Sequence, residues 1–353
     1  MIKIHRDFIG GNICVKSIHG DVITLENELR DTPNWFYWAF CVENAEGRKL
    51  TFNMQKDRLG YFGPAVSHDL KEWHWLDSSD GDSFTYRFGS DEKKVYFAHN
   101  MLYHPDHFLD FLREYGIKST ELCKSRKGRS VPCITLGEGR KSIILTARHH
   151  ACESTGSYVL EGVLRELIDV PIENTSILAV PFVDYDGVID GDQGKDRTPH
   201  DHNRDYTENP IYPEVDAIIK YADRYGCHLG FDFHSPWHKG GENDNIFIVR
   251  NRIEKQDRYE QFSDILQKEI SRTDIVYEKK NDHPPMTGWN QPSPNFGYSM
   301  NLREECDLAF SLETAYFGTE NNKIFTDMLI RLGRSFAKAI KNYIEVTKEN
   351  YEL

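Results

Sequence analysis

Two different periodicities divide the chain. Up to about residue 105 it is built from short, aromatic-rich runs. DVITLEN, NWFYWAFCVEN, RKLTFNM, SFTYRFG and KKVYFAHN are separated by turn-formers such as ENAEGR and SSDGDS. Alternation every second residue, with no strong helix between the runs, suits an antiparallel β-sandwich. Beyond residue 105 strand-like runs alternate with amphipathic helices. HPDHFLDFLREYG is a helix that starts at Pro105 or Asp106 and stops at Gly116. SIILTAR leads into ESTGSYVLEGVLRELI, and SILAVPFVDYDG is strand then loop. The helix YPEVDAIIKYADRYG precedes the strand HLGFDFHS, NIFIVRN precedes the helix KQDRYEQFSDILQKEISR, and LAFSLETAYFG precedes a helix over the last thirty residues. Such alternation predicts an α/β fold with a mixed central sheet flanked by helices. The expected organisation is therefore an antiparallel β-sandwich domain over residues 1–108 and an α/β domain over 109–353, which suits a length of 353 residues.

Composition removes several function classes. A net charge of −13 argues against a nucleic-acid binder and against attachment to anionic lipid. There is no run of 18 apolar residues and no apolar h-region near the N-terminus, so neither a transmembrane helix nor a secretory signal is expected. The seven cysteines are scattered and include no CxxC pair, which fits reduced thiols in a cytoplasm. Trp35, Tyr37, Trp38 and Phe40 form an aromatic stripe for which core packing and a carbohydrate platform are the alternatives.

In open α/β sheets ligands bind beyond the carboxyl ends of the strands, and the chemically capable residues cluster there. TARHHACESTGS, right after the apolar run SIIL, holds His150 and Glu153 as HxxE. His234 ends HLGFDFHS, and Asp232, two residues back, shares its side of the strand. A catalytic zinc takes three ligands from His and Glu and keeps one position open. Asn203 and Arg204 in DHNRDY pair an amide with a guanidinium, a combination suited to gripping a carboxylate. His200 and His202 follow no strand and are assigned structural or supporting roles. Glu313 is an acid inside the apolar strand FSLETAYFG. Burying it alone would cost several kcal/mol, which a catalytic role would justify.

RHHACESTGS, DYDGVIDGDQGKDRTPHDHNRDY, FDFHS and SLETAY, in this order, resemble the M14-type zinc carboxypeptidases, over residues from about 115 to 345. WFYWAFCVEN, GPAVSHDLKEWHW and KKVYFAHNMLYHPDHFLDFL resemble the N-terminal β-sandwich of the cytosolic carboxypeptidases. The resemblance implies one Zn2+ per chain on His150, Glu153 and His234, with Glu313 as general base. It implies that Asn203 and Arg204 bind the substrate carboxylate and that an upstream cation polarises the scissile carbonyl. Arg197 is the first candidate for that cation and Lys195 the second. Tyr298 is the candidate for a tyrosine that closes over the substrate. Two departures stand out: HACE replaces the family's HPGE, placing Cys152 beside the metal loop, and DYDG replaces NPDG. His238 and Lys239 either add positive charge near the site or lie in a solvated loop.

The implied activity is hydrolysis of the C-terminal amide of a peptide or amino-acid conjugate with a free carboxylate. Removal of a terminal glutamate rests on the resemblance alone. The alternatives are a zinc amidase or deacylase acting on small acyl-amino acids, and a metal- or carbohydrate-binding module without catalysis. The segment 282–306 should supply the side-chain pocket but declares no preference, and the oligomeric state is not legible.

Overall fold

The computed structural model describes residues 1–33 and 36–348; Trp35 of the aromatic stripe lies outside them. The N-terminal part contains β1 (Lys3–His5), β2 (Cys14–His19), β3 (Val22–Glu26), β4 (Ala39–Glu43), β5 (Lys49–Asn53), β6 (Ala65–Ser67), β7 (His74–Trp75), β8 (Ser83–Arg87) and β9 (Lys94–Ala98). They form a five-stranded sheet in the order β1-β4-β9-β6-β7 and a four-stranded sheet in the order β2-β3-β5-β8. The first is antiparallel throughout; in the second, β3 and β5 run parallel, a departure from the expected pattern. Strand alternation gives the five-stranded sheet two apolar faces. Phe40, Val42, Val95 and Phe97 meet Ile23, Leu25, Leu50, Phe52 and Phe84 of the other sheet in one core. Ala39, Cys41, Tyr96 and Ala98 turn the opposite way, into the same core as the α/β part. Tyr37, Trp38 and Phe40 are buried, so these three aromatics are core residues and offer no exposed platform.

Helix α1 (Pro105–Tyr115) begins on proline and ends at Gly116 in the left-handed region (φ 65°). Then come β10 (Thr120–Lys124), β11 (Ser130–Leu136), β12 (Lys141–Ala147), α2 (Ser154–Asp169), β13 (Thr175–Val180), α3 (Tyr185–Asp190), α4 (Pro213–Tyr225), β14 (Leu229–His234), β15 (Ile246–Val249), α5 (Gln256–Ile270), α6 (Phe296–Met300), β16 (Leu308–Thr314) and α7 (Thr326–Lys348). The seven strands order as β10-β11-β13-β12-β14-β16-β15. The central four strands, β13-β12-β14-β16, are joined by three parallel pairings and the flanking pairs are antiparallel, so the sheet is mixed. DYDG, expected as loop, opens the short helix α3 because the Asp184 side chain accepts from Gly187 N at 2.9 Å and caps it.

Alternation along the strands sorts the faces. Leu145, Phe231, Phe233, Phe310 and Leu312 pack with residues of α2, α5 and α7, whereas Ile144, Leu178 and Ala309 pack with those of α4 and α6. Helices α2 and α7 touch at backbone distance. A Cβ on Gly162 would lie 2.1 Å from Ile330 O, and one on Gly333 would lie 2.0 Å from Val159 O. Among the described residues no helix is long and apolar enough to cross a membrane, and all seven cysteines are free thiols.

Candidate active site

Parallel pairing of β14 with β16 sets the register His234↔Glu313, so two residues 79 positions apart (313 − 234) become lateral neighbours. Because 231 and 233 face α2 and α5, residues 232 and 234 face the other way, and so do 311 and 313. The strand next door, β12, ends at Ala147, opposite Phe233. His150 and Glu153 follow in the turn that leads into α2, with Glu153 at its N-cap position. Arg148, at φ 64°, holds this turn by donating to the carbonyls of Ala151 (2.8 Å) and Tyr103 (3.0 Å).

His150, Glu153 and His234 thereby converge, with one ligand atom of each within 4.8 Å of the others. The Nδ1 atoms of both imidazoles face the Glu153 carboxylate, at 2.9 Å for His150 and 2.7 Å for His234. Their other nitrogens look toward acids: His234 Nε2 lies 2.5 Å from Asp232 Oδ2, and His150 Nε2 lies 3.6 Å from Asp201 Oδ1. That is the environment of metal-binding imidazoles, in which a carboxylate fixes the tautomer and turns the free lone pair to the ion. Two nitrogens and a carboxylate, buried but facing a cleft, match the donor set and open side of a catalytic zinc site.

Lys195 Nζ sits 2.7 Å from Glu153 Oε1 and donates to the carbonyls of Ser235 (3.1 Å) and Pro236 (3.2 Å). Burial alone would raise the Glu153 pKa, but Lys195 and the two imidazoles hold it well below the usual carboxylate range. Glu313 is only 9% exposed and its Oε2 has no hydrogen-bond partner. Burial raises its pKa, and the nearby Glu153 charge adds to the effect. An under-solvated carboxylate of this kind is a stronger base than one in water.

A cleft of about 450 Å3 opens over these residues. His150, His234, Lys195, Glu313, Asn203 and Arg204 all line it. Arg204 is exposed, and among the described residues its guanidinium makes one bond, to Asn203 O at 2.9 Å, and no ion pair. Most of it is thus available to an anion.

No family model matches the chain. Its sequence is 28% identical to an uncharacterized protein of Zymomonas mobilis over 66% of this chain and 67% of the relative. It is 30% identical to cytosolic carboxypeptidase 2 of Xenopus tropicalis over 64% of this chain and 29% of that protein. The chain therefore spans less than a third of that cytosolic carboxypeptidase. Among solved structures, a metallo-carboxypeptidase from Burkholderia cenocepacia superposes with a TM-score of 0.81 at 17% identity, covering 98% of this chain and 99% of the other. One from Pseudomonas aeruginosa, in complex with (2-guanidinoethylmercapto)succinic acid, gives 0.78 at 18% identity, covering 97% and 99%.

The chain has the metallo-carboxypeptidase fold. The named proteins that share it are hydrolases acting on peptide bonds. Within this metallo-carboxypeptidase fold, two of the sequence candidates lie elsewhere than expected. Arg197, first choice for the carbonyl-polarising cation, does not line the cleft. Its guanidinium is taken up by Asp184 (2.9 Å), Asp192 (2.9 Å) and Asp31 (3.0 Å). Lys195, the second choice, does line it. The reason is local: Cys152 N donates to Gln193 O at 2.9 Å, which ties the loop to the metal turn. Gly194, at φ 86°, lets the two backbones touch, since a Cβ there would lie 2.5 Å from Ala151 N. Tyr298 is also outside the cleft lining, half-buried, with the Arg252 guanidinium 5.1 Å above its ring.

Other residues had no decisive sequence signal. Asp232, besides His234, accepts from Thr146 Oγ1 (2.9 Å) and bonds His149 Nδ1 (2.9 Å), and His149 Nε2 meets Tyr206 OH at 2.7 Å. This buried chain braces His234 from behind. Cys152 is fully buried against Tyr316, and burial pushes its thiol up to about 12. His238 is buried, stacked on Phe36 at 5.1 Å, with its pKa lowered by burial to about 3, so it brings no charge. Lys239 Nζ caps Leu59 O at 2.6 Å.

The N-terminal strands reach this site through the 190–197 loop. Asn12 Nδ2 donates to Gly191 O (2.9 Å), and the backbone N–H groups of Phe36 and Tyr37 donate to Gln193 Oε1 (3.0 and 3.3 Å). Arg30 Nη1 donates to Asp190 O (2.6 Å) and pairs with Asp192.

Proposed function

We propose that the chain is a zinc-dependent carboxypeptidase that hydrolyses the C-terminal amide bond of a peptide or amino-acid conjugate. The observation that best supports this is the placement of an unpartnered, buried Glu313 beside the His150–Glu153–His234 cluster, at the edge of a cleft that also presents a free guanidinium. Zinc held by those three residues would supply a Lewis acid for the scissile carbonyl and an acidified water.

The protein groups divide the remaining work. Glu313 takes the proton of the attacking water at its unpaired oxygen and returns it to the leaving amine. Lys195, a fixed cation, offsets the charge that develops on the carbonyl oxygen. Arg204 grips the free carboxylate through two parallel N–H bonds, with the Asn203 amide beside it. Arg197 keeps its loop in place from outside the cleft, and Tyr298 also stands outside the cleft lining. Residues 1–108 act as a β-sandwich domain that buttresses the loop carrying Lys195. Scattered free thiols and likeness to proteins named cytosolic carboxypeptidases support a cytoplasmic setting.

The test is metal content by elemental analysis, followed by hydrolysis of peptides and of N-acyl amino acids by the wild type and by Glu313→Gln. The zinc-loaded wild type should release C-terminal residues from peptides. The variant should bind zinc equally and lose about 100- to 10,000-fold in kcat. Unchanged hydrolysis by the variant removes Glu313 from the base role. Cleavage of N-acyl amino acids alone identifies an amidase.

A further inference from the structure

The cleft continues past Glu313 toward the start of β16. Ser311 lies two residues earlier on the same face, so its hydroxyl is carried into the cleft next to the base. Val249 of β15 pairs with Ser311, and two residues on, Asn251 lines the same wall. Asn251 is 8% exposed and its Oδ1 has no partner. Asn290 closes the group, since its Nδ2 donates to Arg250 O (2.9 Å) and Pro284 O (3.0 Å). Both of its N–H bonds are thus spent, and Oδ1, an acceptor, is the atom it offers to the cleft.

The cations of this region are all committed. Lys195 is paired with Glu153, and Arg204 is reserved for the α-carboxylate. Arg250 is held by Glu260 and by Asp282 at 2.9 Å, Arg252 by Glu254 at 3.1 Å, and Arg303 by Asp223 at 2.6 Å. His283 lies against Glu242 (3.1 Å) and Thr287 O (3.0 Å). Asp196 and Glu242 add negative charge to the lining. A side-chain carboxylate entering here would meet the Asn290 acceptor and two acids, and beyond Arg204, which is kept for the α-carboxylate, it would find no uncommitted cation among the described residues. An amide or hydroxyl side chain would instead donate to Asn290 Oδ1 and accept from Ser311 Oγ.

We propose that this part of the cleft takes an uncharged, hydrogen-bonding C-terminal side chain, such as that of glutamine or serine, and rejects an acidic one. The inference rests on the carboxypeptidase function proposed above. It opposes the glutamate preference that family resemblance alone would suggest.

The experiment measures kcat/KM of the zinc-loaded full chain on peptides that differ only in the last residue: Gln, Ser, Glu, Lys or Leu. Gln and Ser should exceed Glu by roughly 10- to 100-fold, the size expected when a polar group is left wrongly paired. Asn251→Lys, checked for an unchanged thermal transition, should raise the Glu-to-Gln ratio at least about tenfold by supplying the missing cation. Ser311→Lys is the second variant if the first does not fold. A wild-type preference for Glu, Lys or Leu overturns the subsite while leaving carboxypeptidase activity standing. Cleavage of none of the peptides overturns the activity and the subsite together. An unchanged Glu-to-Gln ratio in a folded lysine variant removes that residue from the subsite.

Discussion

Replacing Asp232 by Asn tests the link between the buried network and the metal cluster. The change keeps the size of the side chain and one acceptor oxygen. It removes the charge that faces three donors: His234 at 2.5 Å, Thr146 at 2.9 Å and His149 at 2.9 Å. An amide that donates N–H toward His234 Nε2 would favour the tautomer with its proton on Nδ1, the atom needed for the metal. Loss of such a carboxylate partner typically costs about 10- to 100-fold in metal affinity, or roughly 1.4–2.7 kcal/mol. Because the metal binds the folded state, that deficit appears as a smaller gain in Tm on adding zinc, with a smaller change in the apo protein. The assay is competition for zinc against a chelator of known affinity, paired with thermal unfolding with and without zinc. Affinity within about threefold of wild type would refute the claim that Asp232 sets the His234 ligand geometry.

Other perturbations separate roles that look alike in sequence. Lys195→Ala should lower kcat/KM about 100- to 1,000-fold with the fold retained. Arg197→Ala should instead lower Tm by the equivalent of about 3–5 kcal/mol, since it strips the fully buried Asp184 of its guanidinium while Asp192 keeps Arg30; the reverse pattern would return Arg197 to the reaction. Arg204→Ala should raise KM far more than it lowers kcat, read from initial rates on one peptide. His104 and His238 are held neutral by burial, with pKa values lowered to about 3. Between the unfolded value of about 6.5 and the folded value the unfolded chain binds more protons, so stability falls on acidification through that window. At pH 5 the loss is about 2 kcal/mol for each histidine. Urea unfolding at pH 7.5 and pH 5.0 measures it, and a flat profile would refute the assignment.

The alternation of β12, α2, β13, α4, β14, α5, β16 and α7 is legible because each segment is long and strongly periodic. So is the cluster of His150, Glu153 and His234, since strand ends announce themselves in the sequence. The β10–β11 hairpin and the short strands β6 and β7 are less legible, because β6 and β7 have only three and two residues and β10 buries no side chain fully, so none shows a clear alternation. Lys195 and Arg197 show the sharper limit. Both are cations a few residues before Asn203 and Arg204, and the family resemblance, which implies an arginine there, ranks the guanidinium first. What brings Lys195 rather than Arg197 to the cleft lining is a backbone contact, Gly194 against Ala151, that no periodicity announces. Asp232 is similar: its side of the strand follows from alternation, but its bonds to His149 and Thr146 need the β12–β14 register.

The hydrogen bonds from Asn12, Phe36 and Tyr37 to the 190–197 loop carry a consequence for engineering. A fragment trimmed to the α/β half would keep every side chain of the cleft and still lose the scaffolding that aims one of them. The amino-terminal sheets are in that sense part of the tool's handle and its blade at once, and a minimal version of this protein cannot be obtained by cutting between them.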